Sequence, residues 1–469
     1  MERGPAPSAD TAPAPLDSAA GADAGVFARL GALHNKGSSS FINLSLYAFG
    51  LSGLWTAMGN PILPIKVEEI IADGGTVLWF DQKNGALAFV SLVGLAVAAI
   101  AQPITGILSD HRSGAGKRLP FLLIGTVGMA TSVLFLGFVG TFVALIFVNV
   151  MVQGFGNLGQ GPANALIADH VRPDERGLAA GALNLSRVAG AGSITLIVFL
   201  LMWQYDRDAA PEWLWVALVF MAVMAVAATL WTVRSLRNEP PRQYGAVSAD
   251  PVPAEHVETR QAPAGSGSFN RTTYTRFLVS LAFVIAAMSA LQVYSFFYLQ
   301  DVIGLENPAR GGVWILLATA IATGLSVIPA GKMTDTLGRD RMIYVAGALG
   351  VLAAVVLIFA RSLVVVVLDG LLVGVAIGIF LTASWAVAND LVPKSEPAKY
   401  LSFTSLAVLV GSTVARLAGA GIDRLNEIEP ALGYQVMLSA VAFAFFVSVL
   451  LMTNLRPEPT GPDQPGQDA

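Results

Sequence analysis

Asn149, Gln153, Asn157, Gln160 and Asn164 stand 4, 4, 3 and 4 residues apart inside one long apolar stretch. On a helix turning ~100° per residue, all five fall in a wedge of about 80° and extend ~22 Å along the axis. Carboxamides both donate and accept hydrogen bonds, so such a stripe, if it lines a wet cavity, suits a hydroxyl-rich ligand. The alternative is bonding between helices, worth only ~0.6 kcal/mol per bond on average. Three charged residues also lie deep inside apolar stretches: Arg187, Asp369 and Arg416. A charge in hydrocarbon costs at least ~2.5–3.5 kcal/mol, so each needs a cavity or a partner. Arg187 falls about 17 Å into its stretch and is the leading candidate for a substrate contact. Asp369 and Arg416 fall at similar depths, about 31 and 27 Å from the same side. They fit either a static pair or a coupling site, in which a desolvated Asp369 takes up and releases a proton or another cation.

The elements that must position these residues follow from composition. The chain has 469 residues, 54% hydrophobic and 13% charged, with a mean hydropathy of +0.64. An ordinary soluble domain carries about 25% charged residues, and half that density cannot cover a water-facing surface of this size. Twelve apolar runs stand at 40–64, 83–109, 118–140, 142–169, 176–202, 212–234, 273–300, 310–334, 341–360, 363–390, 398–422 and 431–455. Each is long enough to cross ~30 Å of hydrocarbon as a helix of ~20 residues. The expected fold is therefore an all-α integral membrane protein of twelve transmembrane helices.

Six-helix bundles are expected over 40–235 and 273–455, with a cytoplasmic linker over 236–272 and disordered tails over 1–39 and 456–469. Pro240, Pro241, Pro251, Pro253 and Pro263 mark the linker. With the N-terminus in the cytoplasm, 20 of the 28 Lys and Arg lie on that side, 6 lie outside and 2 lie within spans. The positive-inside rule favours this orientation, which puts both termini in the cytoplasm of a cell bounded by this membrane, plasma or inner.

Other chemistries find little support. There is no cysteine, which removes disulfides, thiolate nucleophiles and cysteine metal sites. His34, His111, His170 and His256 lie outside the apolar runs, and the net charge of −4 argues against nucleic acid as a partner. Gly154-Phe-Gly156-Asn-Leu-Gly159 matches a dinucleotide fingerprint but sits inside a span, where close helix packing explains it. No phosphate-binding loop of the ATPase type and no nucleophile–base constellation is legible, so neither an enzyme nor a bound cofactor is expected.

The two halves echo each other. Gly106-Ile-Leu-Ser-Asp110 is followed by Arg112, Lys117 and Arg118; Gly331-Lys-Met-Thr-Asp335 is followed by Gly338, Arg339 and Arg341. The fourth run ends at Asp169, before Arg176, and the tenth at Asp390, before Lys399. Asp110 and Asp169 are 59 residues apart, Asp335 and Asp390 55. Duplicated halves around a midplane site are a transporter architecture.

G-x-x-x-D with a basic cluster, once per half, resembles the signature of the major facilitator superfamily, and the resemblance extends over all twelve runs. Gln102 to Asp110, Lys117 to Phe121, Gln160-Gly-Pro162 and Ala165 to Asp169 resemble its glycoside/sucrose-type branch. The chain departs from that branch where Leu119 follows Lys117 and Arg118 in place of consecutive arginines.

The resemblance implies a secondary transporter working by alternating access, in which spans 1, 4, 7 and 10 line the cavity. Tyr47, Trp55 and Asn60, then Gln292, Tyr294 and Tyr298, then Thr382 and Trp385 become candidate contacts. Asp110 with Arg112 and Arg118, and Asp335 with Arg339 and Arg341, become gates, together with Asp169, Arg176 and Asp390; the alternative is that these charges only fix topology and cap helices. The implied function is symport of a small polar solute, a sugar or glycoside, with a proton or sodium ion, by a monomer in the bilayer. Two rivals fit the same sequence: a proton-driven exporter of amphiphilic compounds, and a non-transporting assembly or scaffold protein on the same fold.

Overall fold

The computed structural model describes residues 41–75, 82–111, 116–171, 175–237, 271–391 and 397–452. All twelve expected runs are helices: α1 (Phe41–Ala72), α2 (Lys83–Asp110), α3 (Leu119–Phe138), α4 (Phe142–His170), α5 (Arg176–Trp203), α6 (Glu212–Arg237), α7 (Arg271–Asp301), α8 (Pro308–Leu337), α9 (Arg339–Phe359), α10 (Leu363–Leu391), α11 (Pro397–Ile428) and α12 (Leu432–Met452). The expected tails and nearly all of the expected linker lie outside the described residues, as does Arg112. The side chains of Arg176, Asp335, Arg339, Trp385 and Asp390 do so too.

Local sequence sets the breaks between helices. Thr141 accepts the Ala144 N–H and starts α4; Asn307 accepts the Arg310 N–H ahead of α8, with Pro308 in the first turn where no N–H is needed. Gly338 has φ of 93° and separates α8 from α9. The first helix runs past its expected end at 64. Pro61 withholds an N–H, so Met58–Ile62 widens into a π turn with Asn60 at φ −132°, ψ 19°, and the helix resumes at Leu63.

The same packing plan appears twice. In the first half α1 packs on α5 and α6, α2 on α4, and α3 on α4 and α6. In the second, α7 packs on α11 and α12, α8 on α10, and α9 on α10 and α12. Small residues allow the tightest approaches: a β-carbon on Gly53 of α1 would stand 2.7 Å from the Gly190 carbonyl oxygen of α5. Of the three glycines read as packing residues, Gly156 meets Trp55 and Gly159 meets Tyr47, while Gly154 has only Val97 at 4.0 Å. The two six-helix bundles join along α2–α11 and α5–α8.

Candidate substrate cavity and gates

The broken turn of α1 faces a cavity of about 320 Å³ at the bundle interface. Asn60 and Thr56 come from α1, Thr195 and Phe199 from α5, and Gln292 and Ser295 from α7. The rest of the wall is mostly aliphatic or aromatic and comes from α7 to α10 and α12, with Met288, Leu291, Ile315, Leu316 and Phe380 among it. Ser295 donates to Asn60 Oδ1 at 3.2 Å, so the amide freed by the helix break bridges the bundles at the cavity. Asn60 of α1 and Gln292 of α7 thus line the cavity.

Other expected contacts lie elsewhere. Tyr47 is buried in the first bundle, its N–H on Thr232 and its ring end against Gly159 of α4. It does not line the cavity. Asn149 is 1% exposed and donates Nδ2 to the Val90 carbonyl of α2 at 2.8 Å. Asn157 is 2% exposed; it donates to the Gln153 carbonyl at 2.9 Å, and its own carbonyl accepts Thr105. Gly94 lets α2 approach that face so closely that a β-carbon there would meet Asn149 and Gln153. The upper stripe is therefore a helix seam, and the cavity-lining expectation is corrected for Asn149 and Asn157. Gln153 and Gln160 are half-buried, and none of the five lines the cavity. Asn164, at the far end, is exposed and accepts from Arg187 Nη2 at 2.7 Å, which brings two predicted residues together on α4 and α5.

The proposed Asp369–Arg416 pair does not form. Similar depth is not proximity, because α10 packs on α8 and α9 while α11 packs on α7 and α2. Arg416 Nη1 instead bonds the Ser412 carbonyl one turn back, at 2.8 Å. Asp369 is 4% exposed and its Oδ1 has no hydrogen-bond partner. Tyr298 donates to the Leu357 carbonyl at 2.7 Å and stands in the wall of the hollow that Asp369 faces.

At the end where α1 begins and α12 finishes, Arg118 joins three predicted elements. It contacts Asp110 at 2.8 Å, Asp169 at 2.7 Å and Ser109 at 2.9 Å, tying the ends of α2 and α4 to the start of α3. Burial works against its charge, but the bonds to Asp169 and Asp110 outweigh it and hold its pKa above the usual value. All of these contacts stay within the first bundle. Arg341 is exposed.

The opposite end carries a cross-bundle latch that the sequence reading missed. Asp423 of α11 accepts the N–H of Gly85 at 2.6 Å and the side chain of Asn84 at 2.8 Å. Lys83 pairs with Asp301 at 2.7 Å, and Tyr434 donates to Asp301 at 2.6 Å and bonds Asn84. Gln82 reaches Glu427 at 2.7 Å, Gln300 reaches Glu68, and Asn307 reaches the Trp203 carbonyl at 3.0 Å. The hydrogen bonds found between bundles among the described residues all lie toward this end. Polar residues at span ends read as topology markers, so only their pairing in space reveals them.

Two bundles repeated in plan, meeting along two helix pairs and enclosing a cavity where one helix is broken, define a secondary transporter of the major facilitator fold. The chain belongs to the MFS/sugar transport protein family, whose model matches residues 82–422; it is a multi-pass membrane transporter and not an enzyme. It is 23% identical over 384 residues, 81% of this chain and 89% of the relative, to the multi-drug resistance efflux pump PmrA of Streptococcus pneumoniae. It is 24% identical over 405 residues, 81% and 88%, to the inner membrane metabolite transport protein YhjE of Escherichia coli. Its fold matches the crystal structure of a bacterial homologue of the iron transporter ferroportin in its inward-facing state, with a TM-score of 0.63 at 14% identity, covering 88% of this chain and 98% of that one.

Proposed function

We propose that the chain carries an amphiphilic small molecule across the cell membrane by proton-coupled alternating access, as a monomer with both termini cytoplasmic. The observation that carries this reading is the cavity wall. Its apolar side chains would gain about 25 cal/mol for each Å² of solute surface taken from water. A sugar in the same place would leave most hydroxyls unpaired, at about 1–3 kcal/mol for each buried group. The pneumococcal relative, named as an efflux pump, supports the same choice over the sugar symport implied by resemblance. The latch closed across the bundles at the Asp423 end supports a state shut on that side. Asp369, an intramembrane carboxylate with an unsatisfied oxygen beside the cavity, is the group proposed to carry the coupling proton.

A second reading keeps a polar solute, a glycoside moved by symport. The Asn164–Arg187 pair, exposed at Asn164, favours it, as does membership of a sugar transport family. Proteoliposomes with an imposed pH gradient separate the two. Labelled amphiphiles, neutral and cationic, are tested beside labelled sucrose. Gradient-driven movement of an amphiphile with sucrose left behind is expected. Accumulation of sucrose alone would overturn the first reading in favour of the second.

A further inference from the structure

A second hollow, of about 120 Å³, opens between α7, α8 and α10 and ends at Asp369. Its wall shares Ser295, Leu299, Ile315, Thr319 and Val373 with the main cavity, so the two hollows adjoin. Asp369 lies six residues into α10, ~9 Å from that helix end, and is buried with one oxygen unbonded. A buried carboxylate without a partner is costly, and among the described residues no Lys or Arg pairs with it. Arg361 donates to the carbonyls of Ile358 and Ala360, and Arg416 Nη1 donates to that of Ser412, with Arg416 Nε unpartnered.

The remaining wall narrows what would answer it. Tyr294 and Tyr298 border the hollow, and both hydroxyls are engaged away from Asp369, on the carbonyls of Arg416 at 2.9 Å and Leu357 at 2.7 Å. They therefore offer rings, and Met437 adds a thioether. Rings and soft sulfur around one carboxylate suit a substituted ammonium, whose alkyl groups pack on the rings while its charge meets the acid. A metal cation would need several oxygen ligands, which this largely hydrocarbon wall does not present. A proton alone would neutralise the acid and leave the hollow empty.

We propose that this hollow is the ammonium subsite of the transport site: the solutes are amphiphilic amines, with the apolar body in the larger cavity and the cationic head at Asp369. The inference rests on the amphiphile reading above and narrows it. One carboxylate cannot hold a proton and an ammonium together, so such a solute would leave as a proton arrives.

The test uses two probes of one shape, phenyltrimethylammonium and its uncharged carbon isostere tert-butylbenzene, bound to the full purified chain in a scintillation proximity assay. The wild type should prefer the ammonium at least tenfold. Asp369→Asn should lose the preference while still binding tert-butylbenzene, which also reports that the variant is folded. Asp369→Glu should regain it. Tyr298→Leu, which keeps the charge and loses a ring, should reduce it severalfold. Equal binding of both probes by the wild type, or an unchanged preference in Asp369→Asn, overturns the subsite and leaves the amphiphile reading standing. Failure of both probes to bind the wild type overturns both.

Discussion

Asp423 of the second bundle accepts the N–H of Gly85 in the first turn of α2, so one bundle caps a helix of the other. The α2 start has no cap of its own, since the Gln82 side chain does not bond back to it. Unpaired N–H groups and the positive end of the helix dipole are thus answered across the interface by a carboxylate. Alternating access requires the bundles to separate here. The contact therefore holds one state and must break in the other.

Asp423→Ala should shift the protein toward the state open at this end. Losing a cap costs about 0.5–2 kcal/mol, a roughly two- to thirtyfold change in the open-to-closed ratio. The chain contains no cysteine, so a single Thr56→Cys provides a clean reporter in the cavity. Its labelling by a membrane-impermeant maleimide from the latch side should accelerate by that factor in Asp423→Ala. An unchanged rate would mean the contact does not hold the gate.

Locking the same end should stop transport. Gln82 and Glu427 touch across the bundles, so Gln82→Cys with Glu427→Cys joined by a short bis-maleimide should abolish turnover. The same pair without cross-linker should keep most of it. Solute binding should survive in the cross-linked form when measured from the open side, because the cavity lies below the latch.

Arg118→Gln should destabilise the fold more than an ordinary surface change. Breaking a buried ion pair costs about 3–5 kcal/mol and an exposed one at most about 1. Here the arginine side chain is 9% exposed, but Asp110 is 64% exposed and Asp169 24%, so about 1–3 kcal/mol is expected. The loss appears as a lower melting temperature of the detergent-solubilised protein. The sign of the pH effect follows from the raised pKa of Arg118. A raised value means the stabilisation from this group is complete below its unfolded value and is lost only as pH climbs through the higher folded one. For a guanidinium that lies above any working pH, so titration of Arg118 itself should contribute no pH dependence to the wild-type melting temperature.

Much of this architecture was legible because the bilayer imposes it. A run of ~20 apolar residues has few options in hydrocarbon, and twelve such runs gave twelve helices. The paired Asp110 and Arg118 were legible because opposite charges beside helix ends seek each other. Burial was not. The helical wheel puts Asn149 and Asn157 on one polar face but does not say whether that face meets water or α2. Gly94 decides this, and it is 55 residues before Asn149 in sequence. Depth alone also misled for Asp369 and Arg416, since equal height on α10 and α11 carries no information about which helices adjoin. The latch at Asp423 depends on a separation of 338 residues between partners, and no local pattern encodes that.

The carboxamide stripe offers a last separation of structure from function. Asn149→Leu removes a seam bond to the Val90 carbonyl, and such bonds in membranes are worth about 0.6 kcal/mol on average and about 1.7 at most. The variant should melt at a slightly lower temperature and keep its solute affinity. Asn164→Leu and Arg187→Gln act differently, because that pair bonds α4 to α5 away from the α2–α4 seam, with Asn164 exposed. Under the amphiphile reading both should leave binding of apolar probes in the main cavity unchanged. A loss of ten- to a hundredfold in sugar affinity, about 1.4–2.7 kcal/mol, with apolar probes absent from the cavity, would instead assign the site to α4 and α5. Measuring both ligand classes on the same three variants decides whether the solute is recognised by hydrocarbon in the second bundle or by amides and a guanidinium in the first.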